Sequence, residues 1–437
     1  MLGAIFSVLG VMCCTGKVRG EAIMWGVIMT GVFMGGSSDS LVWGASTMGE
    51  MDYVSWSLSV LSVWVVSLAV LGSKTANETS LSFSFTRLNL TLLAGFFATF
   101  YVSDYMFFYV GFESCLVPIF FLILGWGYQP ERAQAGIYML FYTLLGSLPL
   151  FFLVLWLVSE GSSYMHSGGL TGWSVFFYIF LVGAFLVKFP MYGVHLWLLK
   201  AHVEAPVAGS MVLAGVMLKL GGYGLIRVLP FWVGSPELLS EVILCLSLWG
   251  GIVVSLSCLR QMDMKLLIAS SSVVHMSVCI GGLLVMSEWG VKGGLLLMVG
   301  HGLCSSGLFY LANLVFLRSG SRSMSVSKGF LSLMPSMSLM WFLLVSANFG
   351  APPTLNLLGE ILLITTLVNW SWVSVGVIGA MSFFSACYSL YLFSLSQHGS
   401  YFKVKGAVQS GHNLEYLVLV AHWAPLNLIA LSVFYLS

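Results

Sequence analysis

Six ionisable side chains stand inside runs otherwise apolar enough to cross a bilayer. They are Glu113 in GFESCLVP, Lys188 in LVKFP, Lys219 in VMLKLGGYG, His275 in DMKLLIASSSVVHMS, His301 in GHGLCSSGLFYLAN and Glu360 in FGAPPTLNLLGE. A charge at membrane depth costs about 3 kcal/mol or more unless it is paired or hydrated, so such groups mark proton or ion pathways. Each of the six lies about ten residues, hence about 15 Å, from an end of its run. They therefore share one depth, and a packed bundle could set them in a row parallel to the membrane plane. The residues alone leave plainer roles open. Glu113 and Lys188 could form a static buried pair that fixes helix packing. His275 and His301 could be satisfied core histidines. Lys200, His202 and Glu204 stand at the end of a run, where snorkelling or a hydrated entry would both suit them. Asp263 and Lys265 flank a loop and most simply anchor a helix end.

Such residues need long apolar elements to hold them, and the composition supplies these. Of 437 residues, 59% are hydrophobic and 8% charged, against about 25% charged in soluble domains. Runs near 20 residues indicate helices rather than the ten-residue alternation of a membrane barrel. The expected class is an all-α polytopic membrane protein with about 14 transmembrane helices. The spans are 2–15, 22–36, 53–72, 83–102, 104–125, 135–158, 174–199, 206–229, 238–258, 265–287, 291–317, 330–368 (broken near 351–353), 371–396 and 413–435. The first two are short for a 30 Å core and could instead form a re-entrant hairpin.

Charge placement tests this division. Loops after odd-numbered spans hold Lys17, Arg19, Lys74, Arg87, Arg132, Lys200, Arg260, Lys265, Arg318, Arg322, Lys328, Lys403 and Lys405; those after even-numbered spans hold Arg227 and Lys292. The positive-inside rule then puts odd loops on the cytoplasmic or matrix side and both termini on the other. The net charge of +1 argues neither for nor against an acidic partner, and the eight cysteines lack ligand spacing. They read as small packing residues, not as cluster or zinc ligands. Neither GxGxxG after a strand nor GxxxxGK[ST] occurs, so chemistry on a soluble nucleotide is not expected. The first run, Leu2 to Thr15, has no basic leader or cleavage site, as expected of a chain made in the compartment where it is inserted.

Two spans must be interrupted. Pro190 follows Lys188 by two residues, and Pro352 and Pro353 precede Glu360 by seven to eight. Broken helices are tolerated at membrane depth only where their backbone lines a cavity or is buried in protein. Spans 4–8 and 9–13 form two sets of five; the broken spans 7 and 12 are each fourth in their set. Glu113 and His275 each sit on the second. Because five is odd, the sets run in opposite directions, and paired broken segments in inverted halves point to a transporter's site. The expected organisation is 1–82 with three amino-terminal helices, 83–229 and 238–396 as the two inverted repeats, and 397–437 with a carboxy-terminal helix.

GFESCLVP, GWGYQPERAQAGIYMLFYTLLGSLPLF, the 186–224 stretch, RQMDMKLLIASSSVVHMS, GHGLCSSGLFYLAN and APPTLNLLGE together resemble the chain 4 family of mitochondrial NADH–ubiquinone oxidoreductase, respiratory complex I. The resemblance covers about residues 83 to 395. It implies an antiporter-like, proton-translocating membrane-arm subunit of the mitochondrial inner membrane, with both termini in the intermembrane space. It implies enzyme activity only as part of NADH:ubiquinone reductase. No cofactor is expected in this chain; FMN, iron–sulfur clusters, NADH and ubiquinone belong to the complex as a whole. Expected partners are neighbouring antiporter-like subunits and the bilayer, with cardiolipin, and no nucleic acid. Glu113 and Lys188 are similar to the family's glutamate–lysine pair, Lys219 to its central lysine, His275 and His301 to histidines on the polar axis, and Glu360 to its terminal acid. Leu199 stands where the family usually has proline and Ser270 where it usually has tyrosine; neither removes a titratable group. Two other readings remain at this stage: a stand-alone cation/proton antiporter subunit, and a structural membrane-arm subunit without its own pathway. A redox enzyme in its own right is disfavoured, because no pocket pattern accompanies the histidines.

Overall fold

The computed structural model describes residues 42–46, 49–73, 81–159, 175–231, 237–400 and 410–436. The expected spans 2–15 and 22–36 lie outside them. The first described element is an antiparallel hairpin of β1 (Val42–Ser46) and β2 (Gly49–Asp52), in register from Val42 opposite Asp52 to Ser46 opposite Gly49. Hydropathy does not anticipate it. It delivers the chain into α1 (Tyr53–Gly72), where Ser55 Oγ accepts from the Asp52 N–H at 2.7 Å. That bond satisfies an N–H that the helix start would otherwise leave exposed in apolar surroundings.

The helices that follow are α2 (Ser82–Tyr101), α3 (Tyr105–Trp126), α4 (Arg132–Ser159), α5 (Val175–Lys188), α6 (Leu196–Glu204) and α7 (Val207–Val228). Then come α8 (Glu237–Cys258), α9 (Met264–Leu284), α10 (Glu288–Ser319), the short α11 (Phe330–Leu333), α12 (Pro335–Asn348), α13 (Leu355–Trp370), α14 (Val373–Gln397) and α15 (Asn413–Leu436). Among the described residues nine helices are long and apolar enough to cross a membrane. The chain is a multi-pass α-helical membrane protein. Both expected interruptions are present: α5 stops at Lys188 and helix resumes at Leu196, while α12 stops at Asn348 and α13 starts at Leu355.

The chain divides into two compact units. The first contains residues 1–189 and 204–240. In it α4 packs on α5, α5 on α7, and α1 on α2 and α7. Asp52 and Arg227 form an ion pair that ties the start of α1 to the end of α7. The second contains residues 190–203 and 241–437, gathered around α10, which touches α9, α12, α13 and α15. A serine cap (Ser287 accepting from Gly290 N, 3.1 Å) and a left-handed glycine (Gly320, φ 68°) bound α10. Enclosure differs sharply among the spans. Over their most apolar stretches α7, α9 and α10 are each 89% buried, against 33% for α4. The helices wrapped in protein are those bearing Lys219, His275 and His301. By contrast α4 turns Phe141 and Leu145, more than two-thirds exposed, outward to where lipid would lie.

Candidate functional site

Three of the six candidate residues fall in the first unit. Lys188 is the last residue of α5, because Pro190 cannot continue the helix, and the terminal carbonyls there favour a cation. Its side chain is 2% exposed, with Nζ 3.9 Å from Glu113 Oε1 on α3. That gap exceeds hydrogen-bond length, so the two charges attract without sharing a proton. The ammonium instead donates to the Phe112 carbonyl and lies 3.1 Å from the centroid of the Phe112 ring. Peptide oxygen and π-face together hold the cation in an apolar setting. Neither Glu113 carboxylate oxygen makes a hydrogen bond within the protein, and both are buried. The pair is thus close but loosely engaged.

Lys219 is fully buried on α7. Residues Leu213–Met217 of α7 form a π-helical turn, and the Lys219 ammonium donates to the Ala214 carbonyl inside it. A π-turn widens the helix and redirects backbone carbonyls, so α7 itself offers Lys219 an acceptor. Neither the turn nor this bond is visible in the apolar pattern of LAGVM. Gly221 lets α7 approach the broken end of α5; a Cβ there would stand 2.7 Å from Phe189 N and 2.8 Å from Phe185 O.

The other three fall in the second unit. His275 Nδ1 on α9 is 3.4 Å from Glu360 Oε1 on α13, an ion pair when the imidazole is protonated. The His275 and His301 rings are 5.5 Å apart at 50°. His275 Nε2 is buried without a hydrogen-bond partner in the protein. A pocket beside the pair is lined by His275, Glu360, Leu297, Ile364, Met381 and Ser385. Its volume of about 30 Å³, counted as room for water centres, suffices for one or two waters. The break before α13 serves this arrangement. Gly350 takes φ 75°, and a Cβ on it would stand 2.9 Å from Glu360 Oε2, so the carboxylate lies back over the break. The Pro352–Pro353 peptide is cis. Asn356, fully buried, donates from Nδ2 at 2.8 Å to the Ala347 carbonyl at the end of α12, which also accepts from Gly350 N at 3.4 Å.

The plainer candidates also separate. Asp263 caps α9, accepting from Lys265 N at 3.1 Å, while the Lys265 side chain is 2% exposed and so is more than a surface anchor. Lys200 is exposed; His202 is buried and stacks on Phe309 at 4.6 Å with rings within 4°. Three participants escaped the sequence reading. Phe112 and Asn356 look like ordinary span residues, and only their neighbours reveal them. His422, fully buried on α15 with Nδ1 2.7 Å from the Val418 oxygen, was visible as a histidine inside an apolar run.

The profile of the family described as NADH:quinone oxidoreductase/Mrp antiporter, transmembrane, matches residues 102–385, about two-thirds of the chain. The chain belongs to that family. All six candidate residues fall within the matched stretch. A relative in Ceratitis capitata named NADH-ubiquinone oxidoreductase chain 4 is 49% identical over 87% of this chain and 86% of its own length. One of the same name in Aedes aegypti is 54% identical over 74% and 73%. These relatives place the chain in the chain 4 branch. The fold has solved counterparts. A chain of respiratory complex I from Thermus thermophilus with bound NADH superposes at TM-score 0.87, with 21% identity over 99% of this chain and 96% of that one. A chain of the Mrp complex from Dietzia sp. DQ12-45-1b superposes at TM-score 0.82, with 18% identity over 99% of this chain and 50% of that one.

Proposed function

We propose that the chain is a proton-translocating, antiporter-like subunit in the membrane arm of mitochondrial NADH–ubiquinone oxidoreductase, driven by electron transfer elsewhere in the complex. Its homology to proteins named chain 4 of that enzyme supports the assignment, and the observation that carries the mechanism is the loose Glu113–Lys188 pair at a helix break. Burial and a neighbouring carboxylate act in opposite senses on a lysine's hold on its proton. A small excursion of the Lys188 ammonium between Glu113 and the Phe112 carbonyl therefore changes its proton affinity without any covalent step. The scale is adequate. Each proton moved against 100 mV costs about 2.3 kcal/mol, so a potential of about 180 mV asks for about 4 kcal/mol, or about three pKa units.

In this reading Glu113 gates Lys188, and Lys219 with His275 and His301 relays through water. Glu360 connects to the exit or to a neighbouring subunit. The nicotinamide, flavin, iron–sulfur and quinone chemistry stays in other subunits. We carry forward as part of the proposal a count of 14 spans, inverted repeats at 83–229 and 238–396, both termini in the intermembrane space, and contact with neighbouring antiporter-like subunits and cardiolipin. Replacing Lys219 with alanine is expected to stop proton pumping by the assembled complex in proteoliposomes; unchanged protons per electron pair would rule the relay out. The likeness to an Mrp chain supports one other reading, a cation/proton antiporter working without NADH. Sodium-dependent transport unaffected by NADH would favour it.

A further inference from the structure

Tyr388 is among the buried polar groups of the second unit that the relay leaves unused. Tyr388 on α14 is 0% exposed, and its hydroxyl makes no hydrogen bond within the protein. Buried hydroxyls are nearly always partnered, so this one marks a place where a small polar ligand belongs. Met381, Ser385, Tyr388 and Leu392 share one buried face of α14 at helical spacing. Met381 and Ser385 line the His275–Glu360 pocket, and Tyr388 follows Ser385 by one turn, about 5 Å along the axis. Glu360, Cys258 and Cys304 lie within electrostatic reach of its hydroxyl. Beyond it, Cys258 Sγ at the end of α8 donates to Ser270 Oγ on α9 at 3.1 Å. One turn further along α14, Tyr391 OH donates to Met262 Sδ at 3.6 Å, in the exposed turn between α8 and α9. Polar side chains thus stand along α14 at the pocket (Ser385), one turn on (Tyr388) and at the α8–α9 turn (Tyr391).

We propose that Tyr388 carries protons between the Glu360–His275 pocket and the α8–α9 turn, as the hydroxyl of a hydrated access path along α14. The transfer is a hand-over: Tyr388 Oη accepts a proton from water on one side as its own proton leaves to water on the other. The hydroxyl is restored by rotation, and no charge or electron remains on the ring. The inference rests on the proton-translocation reading, and the two are tested side by side in the assembled complex reconstituted into liposomes. Tyr388→Phe keeps the ring and removes only the hydroxyl. It is expected to assemble normally and to lower the rate of NADH-driven proton uptake at least fivefold, with Tyr388→Leu no worse. Parental pumping by Tyr388→Phe overturns the path, as does the split a packing role would give, with Phe normal and Leu impaired. If Lys219→Ala abolishes pumping while Tyr388→Phe pumps normally, the α14 path falls and the relay stands; if Lys219→Ala pumps normally, the relay itself falls. Should Tyr388→Phe fail to assemble, Ser385→Cys decides. Modification at 385 by a small charged thiol reagent from the α8–α9 side, mapped by mass spectrometry, supports the path, and its absence overturns it.

Discussion

At 3.9 Å, Lys188 and Glu113 are near enough to attract and too far apart to share a proton. A rigid buried salt bridge would close that gap, because an unsatisfied carboxylate in an apolar setting is expensive. The open distance, and the Phe112 carbonyl as second acceptor, leave the ammonium between two acceptors. Glu113→Gln keeps shape and volume while removing the charge; it is expected to leave assembly intact and reduce pumping at least tenfold, read as vesicle acidification per NADH oxidised. Because the two residues act as a unit, adding Lys188→Met to Glu113→Gln is expected to cost far less than the product of the single effects. Gly221 sets the stage for both. With a Cβ at 2.7 Å from Phe189 N, Gly221→Ala must push α7 off the end of α5, at a cost of about 1–3 kcal/mol. A lowered midpoint of thermal inactivation of the complex, with pumping impaired before stability fails, is the expected readout.

Among the elements, the breaks explain more than the helices. A continuous span satisfies its own backbone, so its carbonyls are not free to hold a cation. The α12–α13 interruption brings Gly350, Asn356 and Glu360 into one place, with Asn356 answering the Ala347 carbonyl. Asn356→Ala leaves the Ala347 carbonyl with only the long bond from Gly350 N at 3.4 Å, which costs about 0.5–1.5 kcal/mol. The expected outcome is a complex that assembles less efficiently and pumps slowly, measured by native electrophoresis alongside proton uptake. The π-turn at Leu213–Met217 does for Lys219 what the prolines do elsewhere, placing a carbonyl where the ammonium can use it. The positions of the breaks were legible because proline announces them. The π-turn was not, since a one-residue change in helical pitch leaves no mark on hydropathy.

For the whole molecule, stability and function divide by burial. Arg318 and Glu415, each 9% exposed and 2.5 Å apart, join the end of α10 to the start of α15. Removing one partner strands a charge, at a cost of about 3–5 kcal/mol. Arg318→Ala is therefore expected to cut assembly of the complex several-fold while the assembled fraction pumps normally; Arg318→Ala with Glu415→Ala should recover part of the loss. The sequence by itself located long apolar helices among the described residues, because transfer of apolar side chains from water is additive along the chain: the span 53–72 and α1 coincide. It also determined where the helices break and which charges are stranded in them. Only the tertiary structure decided what those charges meet. Lys188 finds Phe112 from 76 residues away, and His275 finds Glu360 from a different helix. Those meetings depend on rotation about each helix axis and on neighbours remote in sequence, and a local count of hydrophobicity carries neither.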